Sequence, residues 1–109
     1  MNSTYDKQME EMGGVYLKDR LGVEEWAFKR EDALKVLEDR RQKGISCTGG
    51  DVIVENNEGK FSYTGDNWYC QKDEFKSDAE YVEGSAKKAA EYIRNYVEKE
   101  GGKFYYVLV

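Results

Sequence analysis

Ser85 and Lys88 stand at the S-x-x-K spacing, where one helical turn brings a lysine amine to a serine hydroxyl and can activate it as a nucleophile. The companion motifs of that chemistry are missing, and the chain is short for the fold that uses it, so a solvated helix face accounts for the match better. Histidine is absent from the 109 residues. That removes the commonest general base, the Cys-His and Ser-His dyads, and the commonest zinc ligand. The two cysteines, Cys47 and Cys70, form no C-x-x-C and cannot complete a structural zinc site by themselves. Asn56-Asn57-Glu58-Gly59 suggests a calcium loop, but an EF-hand needs an acid five residues before its glycine, where this chain has Val54. Carboxylates are plentiful, yet nothing in the order of residues singles out a pair for glycoside hydrolysis. Gly49-Gly50-Asp51 is too short to cradle a phosphate and reads as a turn leading into a strand. The expectation is a protein that is not an enzyme and that uses no cofactor and no metal.

A second kind of chemistry, recognition of another protein, has better candidates. Thr64-Gly65-Asp66-Asn67-Trp68-Tyr69-Cys70 sets an acid and an amide beside two large aromatics, the mixture suited to interface anchoring. Trp68 is either such an anchor or a ring that closes the core, since tryptophan is mostly buried on average. Asp51, Asp66, Asn67, Trp68 and Glu74 are the interface candidates, chosen because they fall on or beside loops. Asp plus Glu number 22 against 17 Lys plus Arg, a formal net charge of −5. The resulting field opposes phosphate backbones and anionic lipid and favours a basic protein partner, so neither nucleic acid nor membrane is expected. Arg40-Arg41-Gln42-Lys43 sits where cations offset the carbonyl end of a helix, which explains it without nucleic acid. The opening residues Met1 to Asp6 show no basic stretch followed by an apolar one, and no apolar run is long enough to span a bilayer. The expectation is a cytoplasmic protein with Cys47 and Cys70 as buried thiols.

These residues must be held by a fold, and the composition supports one: 39% hydrophobic and 14% aromatic residues, in a length that supplies a single core. Proline is absent, so glycine punctuates, with diglycines at Gly13-Gly14, Gly49-Gly50 and Gly101-Gly102 read as turns. Residues before Gly14 form a short docked helix or a frayed terminus. Glu25 to Lys29 alternate as a strand with Trp26 and Phe28 on one face, or else extend the helix that follows. That helix runs from Arg30 to Lys43, with Ala33, Leu34 and Leu37 at helical spacing, Glu31 and Lys35 as an i,i+4 pair, and Gly44 as the stop. Asp51–Glu55 and Lys60–Thr64 form a hairpin about Asn56-Asn57-Glu58-Gly59, and Trp68-Tyr69-Cys70 continues it as a third, short strand after a turn at Gly65-Asp66-Asn67. Ser77 and Glu80 make a capping box. The long helix after it carries the stripe Val82, Ala86, Ala89, Ile93 and Val97, flanked by Tyr81, Tyr92 and Tyr96, and stops at Gly101. Gly84 weakens that helix by about 1 kcal/mol unless a close contact needs the missing side chain. Tyr105 to Val109 belong in the sheet. The fold class is α+β: one domain over residues 1–109, with an antiparallel hairpin or meander, a C-terminal strand, and two main helices over one face.

Taken in order, several of these segments resemble the bacterial immunity protein 40 family. They are Trp26-Ala27, Asp32-Ala33-Leu34, Gly44-Ile45, Gly49-Gly50-Asp51-Val52 and Asp66-Asn67-Trp68-Tyr69-Cys70. Tyr81, Ser85, Ala89-Ala90-Glu91-Tyr92-Ile93, Asn95-Tyr96 and Tyr105-Tyr106-Val107-Leu108-Val109 are similar to that family's final helix and strand. The resemblance runs from Trp26 to Val109 in co-linear short motifs, none of which encodes an activity. It departs at Cys47-Thr48, where aliphatic residues are usual, and the segment before Trp26 is variable in the family. The resemblance implies an antitoxin of a polymorphic toxin system, made beside a secreted toxin and neutralising it by binding its catalytic domain in the producer's cytoplasm. Two other readings stand beside it: a small enzyme or ligand-binding domain using carboxylates and tyrosines in a pocket, and a regulatory adaptor.

Overall fold

The computed structural model describes residues 3–109, so what was expected of Met1 and Asn2 lies outside the described residues. The apolar run near the C-terminus organises everything else. As strand β5 (Lys103–Leu108) it is the middle member of a five-stranded antiparallel sheet of spatial order β1-β2-β5-β3-β4. The others are β1 (Val15–Tyr16), β2 (Trp26–Phe28), β3 (Gly49–Glu55) and β4 (Phe61–Tyr69). A central strand meets protein on both faces, which is why Tyr105, Tyr106, Val107 and Leu108 are all buried. The α+β class holds, and Glu25 to Lys29 resolves as the strand, with β2 paired to β1 and β5.

Four α-helices are present among the described residues: α1 (Thr4–Glu11), α2 (Lys18–Leu21), α3 (Arg30–Gln42) and α4 (Asp78–Asn95). Helices α1, α3 and α4 pack on one face, around Met9, Phe28, Val36, Leu37, Trp68, Ala89, Ile93 and Tyr106. For residues 3–14 the docked helix is the correct alternative. Ser3 Oγ accepts from the Asp6 N–H at 3.1 Å, capping α1, while Met9 enters the core and the Tyr5 hydroxyl accepts from Arg40 at 3.1 Å. The two expected main helices, α3 and α4, do share one face, and the short helix α2 is an addition on the other. Leu17, Leu21 and Val23 lie against the opposite face, over Ala27, Ile53, Tyr105 and Val107.

Helix α3 ends at Gly44 in the left-handed conformation, φ +77°, with Gly44 N–H donating to Arg41 O at 3.0 Å and Ile45 N–H to Arg40 O at 2.9 Å. Those two bonds satisfy carbonyls the helix leaves open. Its ion pairs are Arg41–Glu38 and Lys43–Asp39 rather than the expected Glu31–Lys35. Ser77 caps α4 through Glu80 N–H, but the Glu80 carboxylate accepts from Lys76 N–H, one residue earlier than a capping box places it. Helix α4 ends at Asn95, not at Gly101, and Val97 is 76% exposed. The stop is a tertiary cap: the Arg30 guanidinium donates to Ile93 O at 3.0 Å and to Tyr96 O, turning the chain out of the helix. Gly84 is where the close contact occurs, since a Cβ there would lie 2.1 Å from the Phe75 ring.

The hairpin turn is as expected. Asn56 Oδ1 accepts from the N–H groups of Glu58 and Lys60, both at 2.9 Å, and Gly59 takes φ +79°. The expected third strand does not exist. Strand β4 continues through Gly65, with Thr64, Gly65 and Asp66 standing opposite Val52 alone. That is a bulge, held by the Thr64 hydroxyl, which donates to Val52 O and accepts from Asp66 N–H, both at 3.0 Å, while Gly65 adopts φ +90°. Gly49 and Gly50 are strand residues too, paired with Tyr69 and Trp68, and not a turn.

Candidate functional site

The serine of the S-x-x-K match is a structural residue. Ser85 is fully buried, and its hydroxyl accepts from Cys47 N–H at 3.0 Å and donates to Val82 O at 3.3 Å. A hydroxyl so engaged is not free to attack. Cys47 and Cys70 are buried free thiols, and burial pushes both above the ordinary thiol range, away from thiolate chemistry. The Cys70 carbonyl accepts from the buried Tyr81 hydroxyl at 2.7 Å. Tyr105 and Tyr106 donate to Glu55 at 2.9 Å and Glu98 at 2.7 Å. Burial first, and the adjacent carboxylate second, hold both phenols protonated, with Tyr105 pushed up to about 12. Arg30, which lies 3.4 Å from Glu98, completes the Tyr106 network that ties α3 to the end of α4. The basic stretch after Asp39 is also occupied: Arg40 reaches Leu108 O, and Arg41 pairs with Glu38 and Glu83. No group of three or more His, Cys, Asp or Glu among the described residues is placed to hold a metal ion.

One open region lies around β4, an edge strand. A groove of about 560 Å³ runs beside its C-terminal half, lined by Thr48, Gly49, Asp51, Asn67, Tyr69 and Lys72 among others. Its geometry follows from the two glycines. A Cβ on Gly50 would come within 2.2 Å of the Trp68 ring and 2.3 Å of Val107 O, so only glycine lets the indole lie against β3. On the other side Trp68 stacks on Tyr92, with ring centroids 4.8 Å apart.

The five interface candidates therefore separate. Asp51 and Asn67 are direct cross-strand partners and share the groove. Trp68 is 5% exposed and belongs to the core cluster, so of its two readings the core is the one realised, and it does not protrude as an anchor. Asp66 faces away from this groove and accepts from the Tyr96 hydroxyl at 2.7 Å. Glu74 is exposed in the 3-10 turn Lys72–Glu74 beyond the strand. Tyr69, 71% exposed, belongs to the acid-and-aromatic motif but not to the five candidates, and Tyr63, 46% exposed, has no place in either; both are on β4. Their signal was the two-residue alternation: if Trp68 is core, Tyr69 must face out.

The family model described as Immunity protein 40 matches residues 16–109. The chain belongs to the immunity protein 40 family. The match starts ten residues before the resemblance at Trp26, so it takes in α2, the helix on the second sheet face. No curated protein and no solved structure matches the chain. Membership in the immunity protein 40 family is membership among immunity proteins, a class that points to binding rather than to catalysis. No helix among the described residues is long and apolar enough to cross a membrane.

Proposed function

We propose that this chain neutralises a cognate bacterial toxin by binding the toxin's catalytic domain one to one, without altering it chemically. The observation that carries the reading is the family match over residues 16–109. The fates of the reactive side chains support it. Ser85, Cys47, Tyr81 and Tyr106 are spent on hydrogen bonds within the fold, and the three candidate carboxylates are dispersed. Asp51 lies in one groove, Asp66 faces Tyr96 beside another, and Glu74 stands on a turn. Inhibition proceeds by covering the toxin's cleft or by holding the toxin in an inactive conformation. The acidic balance of −5 speeds the encounter with a basic toxin surface. Both proteins meet in the cytoplasm of the producing cell.

The test is to express the chain beside the toxin domain encoded next to its gene. Cells making both should survive where cells making the toxin alone do not, and the purified pair should run as a one-to-one complex. Recovery of a cleaved or covalently modified toxin, or absence of both binding and protection, would refute the proposal.

A further inference from the structure

The sheet is covered unequally. Helices α1, α3 and α4 occupy one face, whereas on the other the segment Leu17 to Val23 packs over Ala27, Ile53, Tyr105 and Val107 and leaves the end of β4 uncovered. Strand alternation places Asp51, Tyr63, Asn67 and Tyr69 on this second face with Ile53 and Val107, in the part α2 leaves open. Two large aromatic rings there stand in solvent, Tyr69 at 71% and Tyr63 at 46% exposure. Asp51 and Glu25 make no ion pair among the described residues, while Glu24 is held by Lys18 at 3.1 Å. Both free carboxylates are felt at Tyr63, whose hydroxyl holds its proton above the ordinary range, first through burial and then through Glu25 and Asp51. The face thus joins aromatic rings to two unpaired carboxylates, while Lys72 on the groove rim is held by Asp78 at 2.7 Å.

Resting on the immunity reading above, we infer that this open half of the outer face, formed by Tyr63, Tyr69, Asn67, Asp51 and Glu25, is where the toxin docks, and that it receives a basic surface led by arginine. A guanidinium forks onto a carboxylate and stacks on an aromatic ring with the same planar group, so Asp51 beside Tyr69 offers both contacts together. The Asn67 amide, opposite Asp51 in the pairing, supplies a neutral donor and acceptor. The groove between α4 and β4 is less suited. Lys88 and Glu91 on its rim oppose each other in sign, and the nearby Asp66 already accepts from Tyr96.

Tyr69→Ala and Asp51→Lys test the assignment against Lys35→Glu and Lys87→Glu, which alter exposed positions on the helical face. Affinity for the purified cognate toxin domain, inactivated in its own active site, is measured at low and high salt after thermal melts confirm folding. Asp51→Asn replaces Asp51→Lys if the half-buried lysine prevents folding. Tyr69→Ala should weaken binding by about thirtyfold or more through faster dissociation, as hot-spot aromatics do. Asp51→Lys should slow association, by a factor that shrinks as salt rises. The helical-face variants should bind like the parent. A parent that binds, with Tyr69→Ala and the Asp51 variant binding equally well, overturns the docking face alone. A parent that does not bind overturns the immunity reading and this assignment with it.

Discussion

Replacing Ser85 by Ala removes one oxygen from the interior, and the cost can be worked from the bonds it makes. The Val82 carbonyl loses little, because α4 still supplies it with the N–H four residues on. The Cys47 N–H loses its acceptor at a residue only 2% exposed, where water does not replace it. An orphaned buried donor costs about 1–3 kcal/mol. Alanine returns roughly 0.5 kcal/mol of helix propensity over serine. The net expectation is a loss of about 0.5–2.5 kcal/mol, or roughly 2–15 °C in melting temperature for a domain of this size. Urea titration reads it directly: the midpoint should fall while the slope stays at the parent value, since the surface exposed on unfolding barely changes. Lys88→Ala, at an exposed position, should stay within about 0.5 kcal/mol of the parent. A Ser85→Ala protein within about 0.3 kcal/mol of the parent would refute the reasoning, because the Cys47 N–H would then not depend on this hydroxyl.

Trp68→Ala should destabilise by about 3–5 kcal/mol while the fraction that stays folded keeps its toxin affinity, and denaturation and binding on the one variant separate this from an interface role. Faster dissociation with unchanged stability would contradict the core assignment. Gly84→Ala ordinarily gains about 1 kcal/mol in a helix, but here its Cβ meets the Phe75 ring, so the single variant should lose stability and the same change on a Phe75→Ala background should gain it. Equal effects on both backgrounds would show that the ring moves aside at no cost. Deleting Tyr105 to Val109 removes the strand that pairs with both β2 and β3, so no cooperative thermal transition should remain, and a transition near the parent temperature would show the strand to be peripheral.

Local signals were legible from the chain alone. The helix from Arg30 with its glycine stop, the Asn56 to Gly59 hairpin turn, the Ser77 cap and the buried C-terminal strand each depend on a few neighbouring residues, and each is present in the fold. What misled were signals that two structures share. Gly65 at positive φ serves a turn or a bulge equally well, and only the pairing of β4 with β3 on both sides of Val52 makes it a bulge. Gly49-Gly50 reads as punctuation, yet it is strand, because a Cβ on Gly50 would meet the Trp68 indole and one on Gly49 the Trp68 carbonyl. The nearest glycine after α4 is Gly101, while the operative stop is Arg30, 63 residues away from the carbonyl of Ile93 that it caps. Two neighbours in sequence, Trp68 and Tyr69, have opposite fates. Alternation required that they face opposite ways, but nothing in their order says which face the helices cover. Charge sign, the absence of histidine and the inventory of aromatics belong to the sequence by itself, because they are sums over residues. Which of those carboxylates and rings stand free on one surface depends on three long-range choices: the middle place of β5, the side taken by α3 and α4, and the short reach of α2. Each is decided by burying apolar area between segments far apart in the chain, and no local pattern carries that energy.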